Sequence, residues 1–138
     1  MQANLSTHGL HDAAQMGMRL AVGVIFIVHG FSKFGNPGFG GWISSMGIPA
    51  EMQIPIALAE FIPGILLIIG VLTRISASLI SIVMLGAIFL VKGATSLTGE
   101  YGYELDLILL AACLVVIVAG PGRVSLSYVL KKVPRVLQ

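Results

Sequence analysis

The chain has 138 residues, of which 57% are hydrophobic and 10% charged, with a mean hydropathy of +0.98 and a formal net charge of +2. Ordinary soluble domains carry roughly a quarter charged residues, and a soluble fold this small has too little interior to hide so much apolar surface. Composition therefore excludes an ordinary soluble domain, points to an integral membrane protein whose first partner is the lipid bilayer, and gives no reason to expect a nucleic-acid partner.

The N-terminal stretch MQANLSTHGLHDAAQ is polar, and no cleavable signal peptide is evident, because the apolar run behind it is long enough to stay as a span. His8 and His11 stand three residues apart, but in a terminal segment such a pair reads as solvated, and no metal site is expected. A hydrocarbon core about 30 Å thick needs roughly 20 helical residues. Four segments approach that length, at about 13–34, 54–72, 75–91 and 103–120. Their apolar runs are continuous rather than alternating and too long for barrel strands. The expected fold is all-α: a single domain over 1–138 forming an integral membrane four-helix bundle.

The connections differ in character. Between the first two spans lies GNPGFGGWISSMGIPAEM, which reads as a short interfacial or re-entrant segment with Phe39, Trp42 and Ile43 at headgroup level. Its glycines follow a helix rather than a strand and do not have the order of a nucleotide-binding loop. Thr73 and Arg74 are expected to form the tight turn between the second and third spans. A polar loop, KGATSLTGEYG, precedes the fourth span. Pro121 and Gly122 stop that span, and a basic amphipathic tail over 123–138 suits a membrane surface. Cys113 is the only cysteine, so disulfide and paired-thiol chemistry are excluded. With four spans, Arg19, Arg74, Arg123, Lys131, Lys132 and Arg135 fall on one side and only Lys33 and Lys92 on the other. The positive-inside rule then places both termini in the cytoplasm of a multi-pass cell-membrane protein.

Several polar side chains are expensive in hydrocarbon and call for partners. His29 and Lys33 share a face of the first helix at i, i+4. Glu60 lies roughly 12 Å below the outer end of the second, at 1.5 Å per residue, too deep for a short carboxylate to reach the headgroups. It must be paired, protonated or beside water. Pro63 cannot donate to the carbonyl of Ala59, and Gly64 permits close approach of another helix. Lys92 ends the third span, and Glu100, Glu104 and Asp106 begin the fourth. Lys33, Lys92, Glu100 and Asp106 lie near enough to helix ends to act as interface anchors. The partners expected for His29 and Lys33 are Glu60 and Glu104.

Four stretches together resemble the DoxX family: RLAVGVIFIVHGFSKFG, GIPAEMQIPIALAEFIPGILLIIGVLTRISA, MLGAIFLVK and GYELDLILLAACLVVIVAGPGRVSL. The specific elements are HG-x-x-K, E-x-x-x-G, G-x-L-T-R and GPGR-x-S, and the likeness runs over about 16–127. The resemblance implies a four-helix membrane protein. It further implies kinship with the DoxD subunit of thiosulfate:quinone oxidoreductase, with redox-stress complexes and, distantly, with assembly factors. His29, Lys33, Glu60 and Glu104 match the family's polar positions. Lys92 stands where relatives often carry histidine, which removes two-histidine chemistry.

The residues and the resemblance together suggest a redox-complex subunit with a quinone pocket in the outer half of the bundle. His29 and Lys33 would donate hydrogen bonds there and Glu60 would pass protons. No intrinsic flavin, haem or iron–sulfur cofactor is expected, so electrons would come from a partner or directly from a reductant. The alternative is a non-catalytic structural or assembly subunit, in a larger complex or homo-oligomer. The rows Ala13–Gly17–Ala21 and Ala77–Ser81 would then supply flat packing faces.

Overall fold

The computed structural model describes residues 9–130, 134 and 136–138; His8, Lys131, Lys132 and Arg135 lie outside the described residues. Among the described residues every regular element is helical. α1 spans Gly9–Phe34, α2 Pro37–Ser44, α3 Gln53–Ile69, α4 Thr73–Gly86, α5 Glu104–Ala119 and α6 Leu126–Leu130. A 3₁₀ turn at Ala50–Met52 leads into α3, and a π-helical turn at Ala87–Val91 prolongs α4. Three helical stretches, Gly9–Phe34, Ala50–Ile69 and Thr73–Val91, are long and apolar enough to cross a membrane. α5, at 16 residues, falls just short of the roughly 17-residue lower limit.

Each long helix buries one stripe. Arg19, Val22, Gly23, Phe26 and Gly30 do so in α1, and Ala57, Glu60, Gly64 and Leu67 in α3. These spacings of three, four and seven keep a single face inward. α1 packs chiefly on α3, α3 on α4, and α4 on α5. The core joins Phe26, Leu67, Ala77, Ile80, Met84 and Cys113. α1 and α3 cross at contact distance. A Cβ on Gly23 would lie 2.7 Å from the Gly64 carbonyl oxygen, and one on Gly30 would lie 2.7 Å from the backbone of Ala57 and Phe61. Only glycine allows this approach. By contrast Ala13, Gly17 and Ala21 are exposed, while Ala77 and Ser81 are buried inside the bundle.

Two boundaries differ from the sequence reading. α3 ends at Ile69 rather than near residue 72, because Gly70 adopts φ +75° and its N–H donates to the Leu66 carbonyl. This is a left-handed glycine stop. The turn is therefore Gly70–Leu72, and Thr73 and Arg74 already belong to the first turn of α4. The segment between α1 and α3 also differs. Pro37 opens α2 and the Asn36 side chain caps it by accepting from the Gly38 N–H, so the stretch is a true helix. Phe39 and Ile43, one turn apart, are buried against the bundle, and only Trp42 of the three remains half-exposed.

Candidate functional site

The bundle has two chemically different ends. One carries the α1–α3 and α4–α5 connections and is called the loop end. The other, the terminal end, carries the start of α1, the α3–α4 corner and the chain after α5.

At the loop end, Lys33 in the last turn of α1 pairs with Glu60 of α3 through Nζ and Oε2. Glu60 is 3% exposed. The same ammonium lies 5.6 Å from the centroid of the Phe39 ring, which ties α2 to the pair. Gln53 holds the connection from below, its side-chain amide donating to the carbonyls of Lys33 (2.8 Å) and Asn36 (2.9 Å). Across the site, Lys92 follows the π turn and pairs with Asp106 of α5, and its Nζ also donates to the Gly102 carbonyl at 3.0 Å. The two carboxylates thus come from α3 and α5, and the two ammoniums from α1 and the end of α4.

A pocket of about 490 Å³ opens beside these pairs. Lys33, Glu60 and Lys92 supply its charged wall, and Phe39, Trp42 and Ile56 are among the apolar side chains that line the rest. Ala59, whose carbonyl Pro63 cannot serve, also lines it. Its size falls in the range of pockets that hold small organic ligands, and such sites combine apolar walls with a few convergent polar groups. Each ammonium carries three N–H donors. The hydrogen bonds of Lys33 to Glu60, and of Lys92 to Asp106 and Gly102, leave donor capacity on both.

Of the side chains expected from sequence, Lys33, Glu60 and Lys92 come together around one cavity. His29 does not line it: the half-buried imidazole packs edge-to-face on Phe26, with ring centroids 6.1 Å apart. Glu104 is exposed at the start of α5 while Lys33 pairs with Glu60, and Asp106, expected as an interface anchor, is buried and holds Lys92. The reason is helical phase. Asp106 continues the buried stripe Leu109–Cys113–Val116 by one step of three, and Glu104 points elsewhere. Trp42 and the π turn, missed as site components, both contribute to the wall.

At the terminal end, Arg19 is 1% exposed and no carboxylate pairs with it among the described residues. Its Nη1 donates to the carbonyls of Leu67 (2.9 Å) and Ile68 (3.4 Å), and its Nη2 to the carbonyl of Val124. The first two are carbonyls that the end of α3 leaves without helical donors. The chain after α5 folds back on this corner: the Ser127 N–H donates to the Gly70 carbonyl at 3.1 Å, and the Arg123 N–H to Asp12 Oδ1 at 3.0 Å. A Cβ on Gly70 would lie 2.5 Å from that of Ser125. The G-x-L-T-R and GPGR-x-S stretches thus form a single structural knot around Arg19.

The family model described as DoxX matches residues 14–93. "Putative oxidoreductase CatD" of Bacillus subtilis is 38% identical over 93 residues, covering 67% of this chain and 69% of the relative. An uncharacterized membrane protein of Mycobacterium tuberculosis is 34% identical over 130 residues, covering 83% of this chain and 80% of the relative. The inner membrane protein YqjF of Escherichia coli is 28% identical over 129 residues, covering 89% and 96% respectively. No solved structure matches. The chain belongs to the DoxX family and is a membrane protein.

Proposed function

We propose that this DoxX-family membrane protein is a subunit of a membrane redox complex that binds a quinone in the loop-end pocket. The observation that carries the reading is the placement of Lys33, Glu60 and Lys92 on one wall of an otherwise apolar cavity. Quinone carbonyl oxygens accept hydrogen bonds, and both lysines retain N–H groups to give. Reduction of a quinone to a quinol takes up an electron pair, together with a proton at each carbonyl oxygen. The electron pair comes from a redox-active partner subunit. Glu60 sits where a carboxyl can hold and release a proton. The description of the Bacillus subtilis relative as an oxidoreductase agrees with this role.

The chain's only tryptophan, Trp42, lines the pocket and reports on its occupancy. Titrating the purified protein with a quinone should quench its fluorescence saturably. Lys92→Met and Glu60→Gln should each weaken binding, and His29→Ala should leave it unchanged. Quenching that stays linear in the wild-type protein would count against the site.

Both termini are assigned to the cytoplasm of a cell-membrane protein, because basic residues concentrate at the terminal end. Impermeant thiol labelling of Ser45→Cys but not Tyr128→Cys in intact cells is the expected result; the opposite pattern reverses the orientation. A second reading, an assembly or structural subunit, is favoured by one observation: the Ala13–Gly17–Ala21 row faces outward, with open space above Gly17. A protein that shows no quinone binding and is stable only with a partner would fit that reading instead.

A further inference from the structure

We infer that the loop-end pocket takes a neutral lipid whose apolar tail leaves sideways into the bilayer along a channel kept open by Gly86; this deepens the quinone reading and rests on it.

The first reason is charge balance. Lys33 is paired with Glu60 and Lys92 with Asp106, so the polar wall has no net charge to offer an anion. An anionic headgroup would have to displace a carboxylate from its ammonium, leaving a charge buried without its partner. A neutral carbonyl or hydroxyl headgroup needs only the spare N–H donors.

The second reason is the composition of the rim. Met52, Trp42 and Leu90 line the pocket and are 42%, 49% and 71% exposed. They sit on or beside the membrane-crossing stretches Ala50–Ile69 and Thr73–Val91. An apolar rim at that place faces lipid, with a half-exposed tryptophan at its edge as expected near the membrane interface. The cavity thus combines an ion-paired polar wall with exposed apolar side chains, which is the polarity of a lipid with a short polar head.

The third reason is local backbone chemistry. Gly86 lines the pocket, and a Cβ built there meets nothing within 4 Å. Glycine inside a helix costs stability relative to alanine, and here close packing does not demand it, unlike at Gly23 and Gly30. The π turn begins at the next residue, with the Lys92 N–H donating to the Ala87 carbonyl. Single π turns often mark functional sites within helices. Gly86 and Ala87 together make a side-chain-poor strip on this wall of the pocket.

The test uses the full chain in micelles of fixed detergent content, with Trp42 quenching as the readout. Two probes are compared: a tail-less dimethoxy-methyl-benzoquinone and its decyl-tailed counterpart. The decyl probe should bind at least about tenfold more tightly, since burial of several methylenes contributes that much. Gly86→Phe should weaken the decyl probe more than the tail-less probe, so that the ratio of their affinities falls toward one, and Ala87→Leu serves if the phenylalanine variant fails to fold. Because every protein sits in the same micelles, partitioning of the tail cancels between variants. Dioleoylphosphatidylglycerol should not compete. Equal affinity for the two probes, a gain that survives Gly86→Phe and Ala87→Leu, or displacement by the anionic lipid would each overturn this inference and leave the quinone reading standing. No saturable quenching by either probe overturns both.

Discussion

The two ends of the bundle bury charge in opposite ways. At the loop end each ammonium finds a carboxylate on another helix, Lys33 with Glu60 and Lys92 with Asp106. At the terminal end a single guanidinium, Arg19, is buried against backbone carbonyls alone. Ion pairs beside a cavity can open, exchange protons or share donors with a ligand. A guanidinium locked onto three carbonyls of two chain segments cannot do so without releasing the corner it holds. The difference fits the proposed chemistry at one end and an architectural role at the other. The buried side-chain polar atoms that lack a hydrogen-bond partner among the described residues agree with this division. Gln15, Arg19, Thr73, Arg74, Ser76 and Ser127 supply those atoms, and all sit near the terminal end.

The largest expected effect breaks the architectural end. Arg19→Ala strips donors from the Leu67, Ile68 and Val124 carbonyls and leaves a cavity in their midst. The loss is expected at roughly 3–5 kcal/mol, summing hydrogen bonds from a charged donor and the groups left unsatisfied. Thermal unfolding in detergent measures it, and proteolysis after residue 120 should accelerate as the C-terminal segment lifts from Gly70. Quinone quenching of Trp42 in the protein that remains folded should be unaltered. A stable Arg19→Ala protein that has lost quinone binding would reverse the roles of the two ends.

Between the ends runs the α1–α3 seam, and substitutions along it sharpen the comparison by acting on both. Gly30→Ala drives a methyl onto the backbone of Ala57 and Phe61. Overpacking of this kind typically costs about 1–3 kcal/mol. Gly17→Ala on the same helix meets open space and should instead stabilise by up to about 1 kcal/mol through helix propensity. Opposite signs for one substitution type on one helix would confirm that α1 meets α3 through Gly30 and faces outward at Gly17. Equal effects at the two positions would contradict that packing.

Much of the fold was legible because hydrophobic length and glycine punctuation are local properties. The four long segments, the Gly64 approach and the Lys33–Glu60 pair all follow from residue type and depth. The Arg19 knot was not legible, because its acceptors are backbone carbonyls set free by a helix end. Residue type gives no hint of them, so Arg19 read only as a topological charge. His29 shares a helix face with Lys33, but a long lysine at the helix end reaches Glu60 while a short imidazole one turn back stays on Phe26. The π turn left no mark in composition at all.

α5 gives the smallest and most discriminating test, because its inward face was the hardest to see. Its sequence is apolar nearly all round, and the sequence reading makes Glu104 a lysine's partner and Asp106 an interface anchor. In the structure Asp106 continues the Leu109–Cys113–Val116 stripe and holds Lys92, while Glu104 is exposed. Asp106→Asn removes the charge partner but keeps a hydrogen-bond acceptor for Lys92, and the ammonium is partly exposed, so solvent screens part of the loss. A cost of about 1 kcal/mol is expected, with weaker quinone binding because Lys92 is no longer held against the cavity. Glu104→Gln should change neither the melting temperature nor the quenching curve. A double-mutant cycle with Lys92→Met closes the comparison: Lys92 should couple to Asp106 and not to Glu104. Coupling to Glu104 in its place would require α5 to be rotated by about half a turn and would dismantle the proposed wall of the site.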